Sequence, residues 1–191
     1  MKAIETFEHD GKTIEIHVDE NPINPREECY HTTKMVCFHK RYSLPNETDY
    51  KKDDFNSWDE LEDRIKKDNN VLAILPIYMY DHSGLTIATT PFSCSWDSGQ
   101  IGFIFVTKEK AKEWKSFKRV TKKLVAWAEG CLTADIKEYS QFLEGDCYGY
   151  IIKHGEEELD SCWGIYGIEN VRGQAKESAE SIKVIKVEEA V

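Results

Sequence analysis

The chain has 191 residues, of which 40% are hydrophobic, 31% charged and 12% aromatic, and its formal net charge is −10. That aromatic content excludes a disordered chain, and the length suits one hydrophobic core without disulfide staples. The acidic balance argues against nonspecific binding to DNA or to an anionic membrane through the global field.

A single α+β domain over 1–191 is expected, mostly antiparallel sheet built from hairpins, with two to four helices packed on it. Residues 3–9 and 12–18 alternate as strands around Asp10-Gly11, a two-residue hairpin signal. Residues 21–31 carry two prolines without periodicity and read as a loop, and Thr33 to Phe38 reads as a short strand. Residues 41–56 are polar and irregular, the expected mobile excursion. A helix then starts at Ser57, with Glu60 three residues on as in a capping box, and ends at Asp68-Asn69-Asn70. Val71 to Tyr80 reads as a buried strand in which Pro76 demands an edge or a bulge. Strands follow at Leu85–Thr89 and Ile101–Val106, then a short basic helix over 108–114 capped by Thr107.

From Phe117 to Leu143 the pattern is helical, with Val120, Leu124, Trp127 and Cys131 as its apolar stripe, continued by Ile136, Tyr139 and Leu143 after Gly130, the expected kink or break. Cys147–Lys153 and Leu159–Tyr166 form a second hairpin around Gly155 and Glu156–Glu158. Residues 174–191 read as a tail element, a helix and then a short strand. The apolar run at 71–80 is far short of the roughly 20 residues that cross a bilayer, so no membrane association is expected. The N-terminus has no apolar stretch of the signal-peptide kind. The six cysteines lack any CxxC pair and read as reduced thiols, which points to the cytoplasm.

Chemistry concentrates in 80–102, YDHSGLTIATTPFSCSWDSGQIG, which holds no Lys or Arg. Asp81, His82, Ser83, Cys94, Trp96, Asp97, Ser98 and Gln100 are set there among Gly84, Gly99 and Gly102, the composition of a pocket lip. A second word, DSCWG, repeats part of it with Asp160, Cys162 and Trp163. If the two hairpins lie side by side, both words line one cleft.

Three catalytic readings use these residues. Cys94 or Cys162 serves as nucleophile with His82 or His154 as base. Alternatively, Asp81, His82 and Asp97 perform general acid–base hydrolysis, with or without a divalent metal. The third makes Ser83 or Ser98 the nucleophile, though neither stands in a G-x-S-x-G elbow. Against all three stands a structural reading, in which Asp81 and Ser83 cap a turn, Asp97 bonds the Ser98-Gly99 turn, and Trp96 and Trp163 are core.

The steps Cys29-x-His31 and Cys37-x-His39 place like-facing ligands on a strand, but their spacing does not enforce convergence, and no metal is expected. Asp135 and Glu138 lie three apart on a helix without a second pair and read as surface. No phosphate loop or dinucleotide fingerprint occurs, so no cofactor is expected. Charge is unevenly spread: residues 108–125 hold eight bases and two acids, whereas 126–191 hold six bases and fourteen acids. The basic run, with Trp114 and Phe117 interleaved, has the look of a nucleic-acid patch. Flanked by acidic segments, it reads instead as a solvated face or an internal partner for those acids, and no direct nucleic-acid contact is expected.

The segment YDHSGLTIATTPFSCSWDSGQIGFIFVTKEKA, followed by DSCWGIYG, resembles an uncharacterised protein family of bacteriophage and other mobile-element genomes, over roughly residues 71–166. The resemblance carries no activity or catalytic residues. It implies a setting in host cytoplasm, where small acidic phage proteins bind host machinery such as restriction and CRISPR effectors. The expected partner is a host defence or nucleic-acid-handling enzyme bound at its basic surface and inhibited. Trp96, Ser98, Gln100, Glu156, Glu157, Glu158, Asp160 and Trp163 are the candidate binding residues. The other expectation is a hydrolase or small-ligand-binding protein with its site at 80–102 and 160–164.

Overall fold

Asp10-Gly11 closes the first hairpin with both residues at positive φ, 50° and 69°, and His9 pairs with Lys12 across them. Two left-handed residues in succession match the right-handed twist of the flanking strands, which is why Asp-Gly specifies this turn. The computed structural model describes residues 2–28 and 33–183. The fold is α+β, with two antiparallel four-stranded sheets and five α-helices among the described residues. The chain divides into two compact units, Met1–Ile23 with Gly145–Val191, and Asn24–Glu144.

The first unit holds β1 (Glu5–His9), β2 (Lys12–Val18), β7 (Cys147–His154) and β8 (Glu157–Tyr166) in the order β1-β2-β7-β8, with α5 (Ile168–Ser181). Alternation places Ile14, Ile16, Tyr150 and Ile152 on one face, where they pack with Val171, Ala175 and Ala179 of α5. Small residues at i, i+4 and i+8 let the helix backbone approach the sheet closely. On β7, Gly149 makes room for the Trp163 indole, since a Cβ there would lie 2.3 Å from its ring. Residues 184–191, where a tail strand was expected, lie outside the described residues.

The second unit is a sheet of order β3-β6-β4-β5: β3 (Lys34–Cys37), β4 (Val71–Asp81), β5 (Leu85–Ala88) and β6 (Ser98–Thr107). Helices cover both faces. On one, Met35, Cys37, Met79 and Ile104 pack with Leu124, Ala128, Leu132 and Ile136 of α4 (Lys122–Glu144). On the other, Val36, Phe103 and Phe105 pack with Leu61 and Ile65 of α2 (Trp58–Asp68). Burial on both faces explains why β6 reads as a continuous apolar run rather than an alternation. Gly102, the break in that run, pairs with Cys37 on one side and Ile77 on the other. A Cβ there would lie 1.8 Å from the Val36 carbonyl oxygen, so only glycine fits.

Several local expectations are met and several are corrected. Ser57 caps α2 by accepting from the Glu60 amide at 3.2 Å, while the Glu60 carboxylate reaches back to the Asn56 amide at 2.8 Å. Pro76 lies where β4 has β6 on one side only, because β5 pairs with Tyr78–Asp81 alone, and a register shift follows at Ile77/Tyr78. Edge and bulge thus both occur at this one proline. Within the expected loop 21–31, Pro25–Glu28 instead forms one helical turn, α1, with the Asn24 side chain accepting from the Arg26 amide at 2.9 Å. A short α3 (Lys108–Trp114) is capped by Thr107 as expected.

The expected break at Gly130 is absent, and α4 runs unbroken through it. Its buried stripe is Leu124, Ala128, Leu132, Ile136 and Tyr139, so Leu124, Ile136 and Tyr139 lie where expected, whereas Val120, Trp127, Cys131 and Leu143 lie off it. Val120 precedes the helix, so the four-three-four spacing that included it started one turn too early. Segment 41–56 contains a 3-10 turn at Lys52–Asp54 and a bridge from Asn46 to Val36.

Candidate interaction surfaces

At one end of the second unit's sheet, β4 turns into β5 through His82-Ser83-Gly84, with Ser83 at φ 60° and the His82 amide donating to the Gly84 carbonyl at 3.2 Å. The loop 89–97 returns the chain to β6. The Asp81 amide donates to the Asp97 carbonyl at 2.9 Å, and His82 Nδ1 lies 3.3 Å from Asp97 Oδ2. Ser98 Oγ donates to the Cys94 carbonyl. The Tyr80 ring stands 5.6 Å from Phe92, anchoring the middle of the loop. These bonds fix the tip, and at the tip the Trp96 side chain is 93% exposed.

Asp81 carries further contacts that sequence reading did not supply. Arg41 forms an ion pair with its carboxylate, and the Tyr42 hydroxyl donates to it at 3.2 Å. His39 stacks on Tyr42 with ring centroids 5.1 Å apart. Burial, with help from the Arg41 charge, holds the His39 pKa below the ordinary imidazole value. Together His39, Arg41, Asp81, Trp96, Asp97 and Gln100 line an open groove of about 310 Å³. The segment HKRY at 39–42 offered a signal, charges and aromatics in direct succession, but nothing local ties it to a residue forty positions on.

This end of the sheet therefore brings together Asp81, His82, Trp96, Asp97, Ser98 and Gln100, with Cys94 entering through its carbonyl. Asp81 is neutralised by Arg41, and the Ser98 hydroxyl is spent on a backbone carbonyl. The His82–Asp97 pair is 64% and 43% exposed, where such pairs contribute at most about 1 kcal/mol.

The second word lies elsewhere. Asp160, Cys162 and Trp163 belong to β8, in the other sheet and the other unit, so the two hairpins are not neighbours in one sheet. Asp160 accepts from Tyr150 at 3.2 Å and from Ser178 at 2.6 Å, joining β8 to α5. Trp163 covers Gly149 and approaches His17 with ring centroids 5.9 Å apart, remaining 39% exposed. His154 Nδ1 is bonded to the Gly11 carbonyl at 3.2 Å, next to the turn, whereas Cys162 pairs with Tyr150 farther along the ladder. Glu156, Glu157 and Glu158 are all exposed, the last two inside β8 rather than in the turn.

Asp135, read as surface from the sequence, is tied into the fold. Asp135 accepts from Thr33 at 2.6 Å and lies 3.7 Å from Arg26, whose buried guanidinium also pairs with Glu47. It belongs to a structural ion cluster rather than an open helix face. Along α2 and the 47–55 loop, a wider groove of about 830 Å³ is lined by Glu47, Asp49, Asp54, Glu60, Asp63 and Asp68 against Lys34, Arg64 and Lys67. Arg64 bonds Asp68 at 2.7 Å and lowers its pKa.

Cys29 and His31 lie outside the described residues. Of the other step, Cys37 is in the core and its thiol is pushed up to about 12 by burial. Among the described residues no three His, Cys, Asp or Glu side chains are grouped to hold a metal ion, and no helix is long and apolar enough to cross a membrane.

No protein family, curated protein or solved structure matches this chain. Among the described residues of this α+β fold, the exposed features include Trp96 in the loop before β6 and a groove lined by six acids and three bases.

Proposed function

We propose that the protein is an interaction protein that inhibits a host defence or nucleic-acid-handling enzyme by occupying its basic surface. The observation that carries this reading is Trp96, 93% exposed at the tip of a loop held by backbone and side-chain bonds. An indole left in water on a rigid support is suited to anchoring a partner, because it buries a large apolar area at little entropic cost. The α2 groove, where six acids face three bases, and the net charge of −10 support an electrostatic complement to a basic partner. The resemblance to mobile-element proteins supplies the cellular setting and nothing more.

The test is capture of partners from bacterial extract on the intact protein, followed by assay of the captured enzyme. A single nucleic-acid-handling enzyme, inhibited on binding and released by raised salt, is the expected result. Trp96→Ala should weaken that complex at least tenfold, as removal of a central anchor does. Reversal of the charges at Asp59, Glu60, Glu62 and Asp63 should slow association. Unchanged affinity in both variants, or no inhibited partner, sinks the proposal.

A small-ligand reading draws on the groove of about 310 Å³ beside Arg41 and Asp81. It predicts that Arg41→Ala abolishes ligand-induced stabilisation in a thermal screen of nucleotides while the free protein melts as before.

A further inference from the structure

Between Lys112 and Lys123 the chain carries six cations, Lys112, Lys115, Lys118, Arg119, Lys122 and Lys123, against Glu113 alone. All six are exposed. Glu113 is held by Lys110 at 3.1 Å, and none of the six forms an ion pair among the described residues. Among the described residues the run is therefore no ion-pair partner for the acids, although acids outnumber bases by 35 to 25 in the chain.

A second observation sharpens the first. The opening turn of α4 carries Lys122 and Lys123 and no acid, and its closing turn has no base. Helix dipoles favour the opposite arrangement. Lysines placed against the dipole raise the local positive potential at some loss of stability, and an anion on the strip would relieve that conflict.

The kind of anion follows from what the strip lacks. Trp114 and Phe117 are half-buried against the core, the Lys112 ammonium lies 5.7 Å from the Phe117 ring centre, and Lys115 lies 5.0 Å from that of Trp127. Rings covered in this way cannot stack on unpaired bases, the usual grip on single strands. The large apolar side chain exposed here is Val120, too little to seat a helix in a bilayer. Six cations strung over twelve residues outnumber what one phosphate needs. They suit a repeating polyanion, and at physiological salt charges beyond about 8 Å are screened, so the strip is felt locally despite the net charge.

We infer that the 112–123 strip binds the phosphate backbone of double-stranded nucleic acid without reading its sequence. This contact is independent of the protein partner proposed above.

Fluorescence anisotropy of a labelled duplex of arbitrary sequence, titrated with the intact protein at low salt, tests it. Binding in the micromolar range is expected, with log K falling against log salt at a slope of about −4 to −5 for five contacts. Lys118→Glu with Arg119→Glu should weaken binding at least tenfold and reduce the slope by about 2. Lys122→Glu with Lys123→Glu should also weaken binding yet raise the melting temperature by about 2–4 °C, because it corrects the dipole conflict. A purely structural strip would show the reverse. Trp96→Ala should leave duplex binding unchanged, which separates this inference from the protein-partner reading. No binding at low salt overturns the inference, as does binding indifferent to both reversals. A strip that engages only anionic vesicles, or only the acidic groove of a second copy, overturns it equally.

Discussion

Gly102 and Gly99 sit three residues apart on β6, yet they answer to different constraints. A methyl at Gly102 would meet the Val36 carbonyl at 1.8 Å, whereas at Gly99 nothing stands within 4 Å. Backbone cannot yield as a side chain can, so Gly102→Ala should cost about 3 kcal/mol or more, and Gly99→Ala should be neutral within about 0.5 kcal/mol. Urea midpoints of the two variants check the contrast. Titration offers a second handle at this scale. Burial raises the Cys37 thiol from 9.0 to about 12. A group raised on folding contributes full stability below its unfolded pKa and loses it as pH climbs toward the folded one, here between about pH 9 and 12. From pH 8 to pH 10 the native protein should lose about 1.4 kcal/mol that Cys37→Ala does not lose. Comparing the two proteins cancels the titration of surface lysines.

Local chemistry made some elements legible and left others to the tertiary structure. The Ser57 cap needs only the next three residues to form, so the start of α2 could be read directly. Ser57→Ala should lower stability by about 1 kcal/mol in chemical denaturation, with α2 fraying first in hydrogen exchange. The Asp10-Gly11 turn is equally self-sufficient. The buried line of α4, in contrast, is chosen by the sheet it meets: Ala128 and Leu132 face β-strand side chains while the larger Trp127 lies at the margin. Propensity and spacing within the helix cannot make that choice. The 80–102 stretch was legible as a concentration of polar and aromatic groups. Its partners Arg41 and Tyr42 were not, because an ion pair between residues forty apart depends on where β3 and β4 are placed. Likewise, the similarity of CSWDSG and DSCWG in composition says nothing about which sheet each joins, and they join different ones.

For the molecule as a whole, the division into units matters more than any one element. Both helix-covered faces of the second unit's sheet are filled from within 24–144, by one cluster on the α4 side and another on the α2 side. A fragment of residues 24–144 should therefore fold alone, giving a cooperative thermal transition and dispersed amide resonances. A fragment that stays unfolded under native conditions would show that these two clusters do not suffice. Charge is likewise apportioned: the acid groove and the cationic strip lie in this unit, whereas Glu156–Glu158 belong to the other.

The first unit is assembled from the two ends of the chain, since β2 pairs with β7. During synthesis the β1–β2 hairpin must wait for about 130 further residues before its partner strand emerges, roughly 6–26 s at 5–20 residues per second. Throughout that interval Ile14 and Ile16 have no α5 to cover them, and a lone two-stranded hairpin is marginal in water. The nascent chain is thus open to chaperones, and to mispairing with another copy, at the β1–β2 hairpin for as long as β7 is missing. Completion of β7 and α5 closes that window.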